Sequence, residues 1–317
     1  MPDIPRYTRS FLVLAVSSAL ALVGCAASPG QSENDGGNTA VTVVTGTDVY
    51  ASIVEAVGGD RVSVTSLVNS LSQDPHSYEP TVQDKLAVSR ADLVVLNGGG
   101  YDPFLPPLVE ETGVDPEFVI SATDVSGLEG SGSAAGGEEP VEGFNEHVWY
   151  SLPAMSRLVD VVESRLVDLD AANAAEYRDG AGKLRESLAG LEDRLHEIDA
   201  AGKAVAVTEP VPHYLLEAAG LKDLTPAGFG EAVEGGADVP VGVLRDTEAL
   251  VRSGRVEFLA YNEQTAGPQT EAVRAAAVDA GLPVVNFSET VPEGEDYVSW
   301  MTGNVDRLIE GLGAVAP

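Results

Sequence analysis

The sequence predicts an α/β fold of two lobes, each a mostly parallel sheet with flanking helices, joined by one long backbone helix. Three observations carry that prediction. Short β-branched runs bounded by turn residues alternate with helical patterns over residues 41–121, as parallel sheets covered on both faces require. A long helical pattern with no return hairpin follows. The alternation then restarts from Lys203, so one architecture is used twice, which suits a cleft between lobes.

In the first half, Val41 to Thr45 reads as a strand leading into a helix from Val49 to Val57, closed by Gly58-Gly59. Arg61 to Leu67 and Ala91 to Leu96 are further strands, and Glu117 to Ser121 is a fourth. Gly127 to Glu142, rich in Gly, Ser and Glu, predicts a mobile surface loop. A helical pattern runs from Pro153 to Leu169. Ala171 to Ala201 then reads as helix almost throughout, because Leu184, Leu188, Leu191, Leu195 and Ile198 mark one apolar stripe. Gly180, Gly182 and Gly190 weaken it locally. In the second half, Lys203 to Thr208, Val256 to Tyr261 and Pro283 to Phe287 predict strands. Helices are expected over Tyr214 to Ala219, Val243 to Ser253, Gln269 to Ala280 and Tyr297 to Leu312. The lobes are therefore placed at 41–170 and 202–317, with 171–201 as the link.

The N-terminus has a different character. Arg6 and Arg9 precede an apolar run from Phe11 to Val23, too short to span a bilayer as a permanent helix. Residues 1–24 thus read as a removable signal peptide. Leu22-Val23-Gly24-Cys25 resembles the bacterial lipobox, in which the Cys after the cleavage point is acylated. This implies an extracytoplasmic protein, lipid-anchored to the cell membrane through Cys25. Residues 25–40 are polar and small, as a flexible tether would be. Cys25 is the single cysteine, so no disulfide within the chain can form.

Fifty Asp and Glu against 18 Lys and Arg give a formal charge of −32. Such a surface repels phosphate backbones and anionic headgroups, which excludes nucleic acid as a partner. Most of these acids are accounted for as a solubilising surface. The charge alone identifies no metal site.

The four histidines can be weighed singly. His76 sits in Asp74-Pro75-His76-Ser77-Tyr78-Glu79-Pro80, after a strand and before a helix starting near Thr81; the prolines force turn or extended backbone there. Open α/β sheets hold ligands in such loops at strand ends. His147 lies in Asn145-Glu146-His147-Val148-Trp149, also between a loop and a helix. His196 falls in the long helix beside Glu192 and Glu197 and reads as a solvated residue. On spacing alone, a lone loop histidine is more often a surface residue than a ligand. No H-E-x-x-H, P-loop or G-x-G-x-x-G occurs, nor any G-x-S-x-G elbow.

The segment Asp74 to Thr81, followed by Ala91-Asp92-Leu93-Val94, resembles the signature of the zinc- and manganese-binding solute receptors of bacterial ABC importers. Asn145 to Trp149 is similar to that family's second histidine motif, and the likeness runs from about Val41 to Leu312. It implies a receptor rather than an enzyme, a monomer whose partner is the membrane permease of a metal ABC importer. It also implies one ligand from each of four loops: His76 and His147, then Glu209, which stands five residues before Tyr214 as in the family's strand-end motif. The fourth is Glu289, where the family usually carries Asp; Ser288 or water is the alternative. His213 is a possible substitute ligand, and Glu263 a cleft-lining residue. A secreted metal-dependent hydrolase is the competing reading, with Glu263 or His213 as base.

Two imidazoles and two carboxylates suit a divalent cation, Zn or Mn, and do not decide between them or Fe. Glu209, at a position where some relatives carry a third imidazole, tilts the set towards Mn or Fe. Because ligand histidines must be deprotonated, affinity should fall as pH drops through their pKa values. The helical spine predicts small loop movements rather than a wide hinge.

Overall fold

Two four-stranded sheets form the frame of the computed structural model, which describes residues 40–131 and 143–313. The signal segment, Cys25 and all but the last residue of the tether lie outside the described residues, as does most of the Gly127–Glu142 loop. The first sheet holds β1 (Val41–Thr47), β2 (Val62–Val68), β3 (Leu93–Leu96) and β4 (Val119–Ser121) in the order β2-β1-β3-β4. The second holds β5 (Ala204–Val207), β6 (Lys222–Asp223), β7 (Leu259–Asn262) and β8 (Val284–Phe287) in the order β6-β5-β7-β8. Every pairing is parallel. The strand order is the same in both lobes, so each sheet reverses its direction of winding beside its first strand, where α/β folds open a ligand crevice. The central strands β3, β5 and β7 are buried at every residue, which is why they read as continuous apolar runs.

The first sheet is flanked by α1 (Asp48–Gly58), α2 (Val82–Val88), α3 (Leu105–Thr112) and α4 (Ala122–Val125). After α5 (Leu152–Leu169) comes the long α6 (Ala174–His196). The second lobe carries α7 (His213–Ala218), α8 (Phe229–Glu234), α9 (Val241–Val251), α10 (Pro268–Asp279) and α11 (Tyr297–Gly311). Local chemistry fixes the starts. Thr81 and Asp84 exchange side-chain-to-backbone hydrogen bonds at the head of α2, and Asp296 and Ser299 do the same for α11. The linking helix is shorter than its sequence pattern, with a 3₁₀ turn over Ala171–Asn173 before it. Its buried stripe is Tyr177, Ala181, Leu184, Leu188, Leu191 and Leu195.

The largest apolar core is shared by both lobes. It runs from Val43 and Ile53 through Leu158 and Leu188 to Val205, Trp300 and Leu308. Two smaller cores cover the outer faces, one around Val94, Leu96 and Leu105 and one around Leu259, Val273 and Val251.

The glycines of α6 are not equivalent. A Cβ on Gly180 would stand 2.5 Å from the carbonyl oxygen of Val57 in α1, whereas one on Gly182 or Gly190 would meet nothing within 4 Å. Gly180 therefore lets α1 and α6 approach backbone to backbone. We expect Gly180→Ala to destabilise by about 1–3 kcal/mol through overpacking. Gly182→Ala and Gly190→Ala should instead stabilise by roughly 0.5–1 kcal/mol from helix propensity. Urea denaturation midpoints of the three variants test the difference in sign.

Candidate metal centre

Of the residues singled out by the sequence, His76 and His147 approach each other in the first lobe, and Glu209 and Glu289, which follow β5 and β8, approach each other in the second. His76 is held by a 3₁₀ turn, Pro75–Ser77, that follows β2. Asp74 caps this turn: its carboxylate accepts hydrogen bonds from His76 N (2.9 Å) and Ser77 Oγ (2.7 Å). Pro75 is buried beneath it. The His76 ring meets Tyr101 edge-on, centroids 4.8 Å apart, and lies 6.3 Å from the His147 ring.

His147 is 1% exposed. Its orientation follows from one amide. Asn145 Nδ2 donates to Pro210 O across the cleft (2.8 Å), so Asn145 Oδ1 is the acceptor for both His147 N (3.0 Å) and His147 Nδ1 (2.7 Å). The imidazole therefore carries its proton on Nδ1 and keeps the Nε2 lone pair free, the state a metal ligand needs. The sequence could not name this partner. Asn97, just past the end of β3, donates to the carbonyl of Glu146 (3.0 Å) and fixes the same loop from the other side; its own side-chain oxygen accepts from Tyr50.

From the second lobe, Glu209 follows β5 and Glu289 follows β8; they are 3% and 2% exposed. Asn262, the last residue of β7, donates from Nδ2 to Glu209 Oε2 (2.6 Å) and to Glu289 Oε1 (2.7 Å). Thr265 donates to Glu209 as well. Glu289 Oε2 accepts from Tyr101 (3.0 Å) and lies 3.9 Å from His147 Nε2. The structure thus brings His147 and Glu289 face to face, with Glu209 tied to Glu289 through a shared amide.

Three sequence candidates are not gathered in. His213 begins α7 with its side chain 46% exposed and Glu217 as its ionic neighbour. Glu263 is exposed and accepts from Asn286. Ser288 turns its hydroxyl to Thr290 O (3.1 Å) while its carbonyl accepts from Tyr150 (2.7 Å). His196 is exposed at the end of α6.

One residue that the sequence does not single out is present. Glu234 ends α8, and its Oε1 lies 3.8 Å from His147 Nδ1. One ligand atom from each of His76, His147 and Glu234 lies within 4.8 Å of the other two.

Burial sets the protonation of this cluster. It lowers His76, against the opposing charge of Asp74, and it pushes His147 well below the ordinary range, helped by His76. Burial raises Glu209 to about 7 and Glu289 to about 8, the latter also through the charge of Glu209. Glu234 rises to about 8, chiefly by burial and then by Glu146. The imidazoles are consequently neutral near pH 7, and the carboxyls are the groups that must lose protons before binding a cation.

Fold and cleft together define a two-lobed solute receptor with an ionisable, largely dry crevice. The profile of the zinc-uptake complex component A (periplasmic) family, ZnuA, matches residues 43–311, and the chain belongs to that family. It is 27% identical to the manganese-binding lipoprotein MntA of Halalkalibacterium halodurans over 96% of this chain and 97% of that protein. It is equally similar, at 27%, to the manganese ABC transporter substrate-binding lipoprotein scaA of Streptococcus gordonii, over 95% of this chain and 98% of that one. Among solved structures, the solute-binding protein FpvC of Pseudomonas aeruginosa in complex with Mn²⁺ shares the fold. Its TM-score is 0.68 at 24% identity, covering 86% of this chain and 98% of that one.

Proposed function

We infer that this protein captures a divalent transition-metal ion, Zn or Mn, between its lobes and delivers it to the permease of an ABC importer. The residues assigned to hold it are His76, His147, Glu209 and Glu289. The observation that carries this reading is the convergence of one buried, lone-pair-bearing imidazole with two buried carboxylates from the opposite lobe, joined through Asn262. Among the described residues no Lys or Arg pairs with these buried carboxyls, so the counter-charge of such a site arrives with the ligand. A dication displaces their protons and offsets the desolvation that raised them.

The relatives' manganese-binding names favour Mn as the first ion to test. Acylated Cys25 would keep the receptor at the outer face of the membrane beside its permease. The hydrolase alternative required Glu263 or His213 as a base near the ion, and both stand at the surface. Native mass spectrometry with elemental analysis of protein purified without added metal is expected to show one Mn or Zn per chain. A chain that stays free of metal, and takes up neither ion on titration, would refute the assignment.

A further inference from the structure

The two histidine segments of the first lobe are anchored differently. The His147 segment is bonded to the second lobe from more than one residue. Asn145 Nδ2 donates to Pro210 O (2.8 Å), Asn145 O accepts from Tyr214 Oη (2.6 Å), and Trp149 O accepts from Tyr297 Oη (2.5 Å). The stretch over residues 69–78, which carries His76, is closed mainly on itself. Gln73 N donates to Ser70 O, Asn69 N donates to Gln73 Oε1, and Asp74 caps the His76 turn. Among the described residues, its one hydrogen bond to the second lobe comes from Gln264, whose Nε2 donates to Gln73 O (3.4 Å).

Gln264 stands two residues past the end of β7 and is partly buried. Its backbone N–H donates to Asn262 Oδ1 (3.1 Å), which leaves Asn262 Nδ2 to face Glu209 and Glu289. Its side-chain oxygen accepts from Glu289 N (2.6 Å) and Thr290 N (3.2 Å). A backbone N–H can only donate and a carbonyl can only accept, so these three partners agree on one orientation of the Gln264 amide. A carboxylate in its place could not donate to Gln73 O, and a Lys or Arg could not accept from the two backbone amides. The contacts are also unequal. The bond to Glu289 N is short, whereas the one to Gln73 O is at the long end of the range, so the tie is firm in the second lobe and yields first at the His76 turn.

We propose that Gln264 is a positioning residue that ties the turn bearing His76 to the segment bearing Glu289 across the cleft, and that this tie sets how long a captured ion is retained. This rests on the reading of the cleft as an ion site. Gln264 touches no ion; it acts through Asn262, the Glu289 backbone and Gln73, which directly precedes the cap Asp74. Entry of the ion begins with the His76 turn released, so loss of the tie changes association little and speeds dissociation.

The test uses the full chain with Gln264→Met, neutral and of similar length but with no donor, and Gln264→Glu, which keeps the accepting oxygen and loses only the bond to Gln73 O. In Gln264→Met, release of Mn²⁺ to a chelator in stopped flow is expected to be roughly three- to tenfold faster, the scale of one net hydrogen bond. Association should stay within about twofold. Hydrogen exchange of the metal-free proteins reads the tie without any ion. Both variants should exchange faster over residues 69–77, and Gln264→Glu should leave residues 286–290 as they are. Unchanged release, unchanged exchange over 69–77, or a loss of affinity carried by slower association would each overturn the inference. If the unaltered chain takes up Mn²⁺ and both variants release it as the unaltered chain does, this inference alone fails. If the unaltered chain takes up neither Mn²⁺ nor Zn²⁺, the reading of the cleft falls and the inference with it.

Discussion

Replacing His147 by Ala is expected to abolish tight ion binding, and replacing Asn145 by Ala to weaken it about ten- to a hundredfold. The two effects have one cause. Asn145 Oδ1 holds the Nδ1 proton at 2.7 Å, which leaves Nε2 as the free donor facing Glu289 at 3.9 Å. Without that acceptor, the ring can exchange its proton between nitrogens and turn, so part of the population presents N–H to the cleft. Removing the ring itself deletes the nitrogen and leaves the carboxyls of Glu289 and Glu234 facing a void. His196→Ala, at the exposed end of α6, should bind as the unaltered chain does. Isothermal titration calorimetry on all three settles the matter, with circular dichroism to confirm folding. Similar affinities for His147→Ala and His196→Ala would remove the basis of the site.

The metal-free protein should lose stability as pH rises from about 5 to 8, opposite to common acid denaturation. Glu209, Glu234 and Glu289 have folded-state pKa values raised to about 7, 8 and 8 from an ordinary value of 4.5. Between those limits the folded chain holds more protons than the unfolded one, so unfolding free energy falls with rising pH. Asp48 and Asp102, both raised to about 6 chiefly by burial, add to the same slope below that pH. A loss of 1 kcal/mol lowers the melting temperature by about 2–4 °C in a chain of this size, so the midpoint of the metal-free protein should fall by a readily measured amount across this range. An ion that takes the protons' place flattens the dependence, and the gap between loaded and metal-free melting temperatures widens with pH. Glu289→Gln, which imitates the protonated acid, should reduce the slope of the metal-free protein. Scanning calorimetry that shows the metal-free midpoint rising between pH 5 and 8 would contradict the burial of these carboxyls as acids. The sequence pointed to histidine titration; with the carboxyls of Glu209 and Glu289 raised to about 7 and 8 by burial, we expect affinity to begin falling below about pH 8 and to fall more steeply below about pH 7.

Much of the frame was legible because burial on both faces leaves an unmistakable pattern. The runs in β1, β3 and β5 and the Leu184–Leu195 stripe of α6 needed no partner information. What escaped has physical reasons. The helix α3 opens on Leu105-Pro106-Pro107, so proline hides its start, although Pro is tolerated there. β6 is two exposed residues. β7 ends at Asn262 rather than Tyr261, and that one residue carries the amide joining Glu209 to Glu289. Glu234 lies on a helix too short for a periodic stripe and bracketed by Gly228, Gly230, Gly235 and Gly236, which reads as loop. Tyr101 and Asn145 act across 188 and 65 residues of chain, distances over which a single sequence gives no pairing signal.

The unbroken core that joins the two sheets has a consequence for how cargo gets in and out. A book-like opening would wet the apolar interior around α6 and break the contacts of Tyr297 Oη with Trp149 O and of Tyr150 Oη with Ser288 O. Exposing even ~400 Å² of it costs roughly 10 kcal/mol, comparable to the whole folding free energy of a typical domain. We therefore expect exchange to proceed through the rim, by displacement of short segments such as the Asp74–Ser77 turn and α8, while the frame behind them keeps its shape. A permease that recognises the loaded form would then be reading the posture of those rim segments, not the angle between the halves.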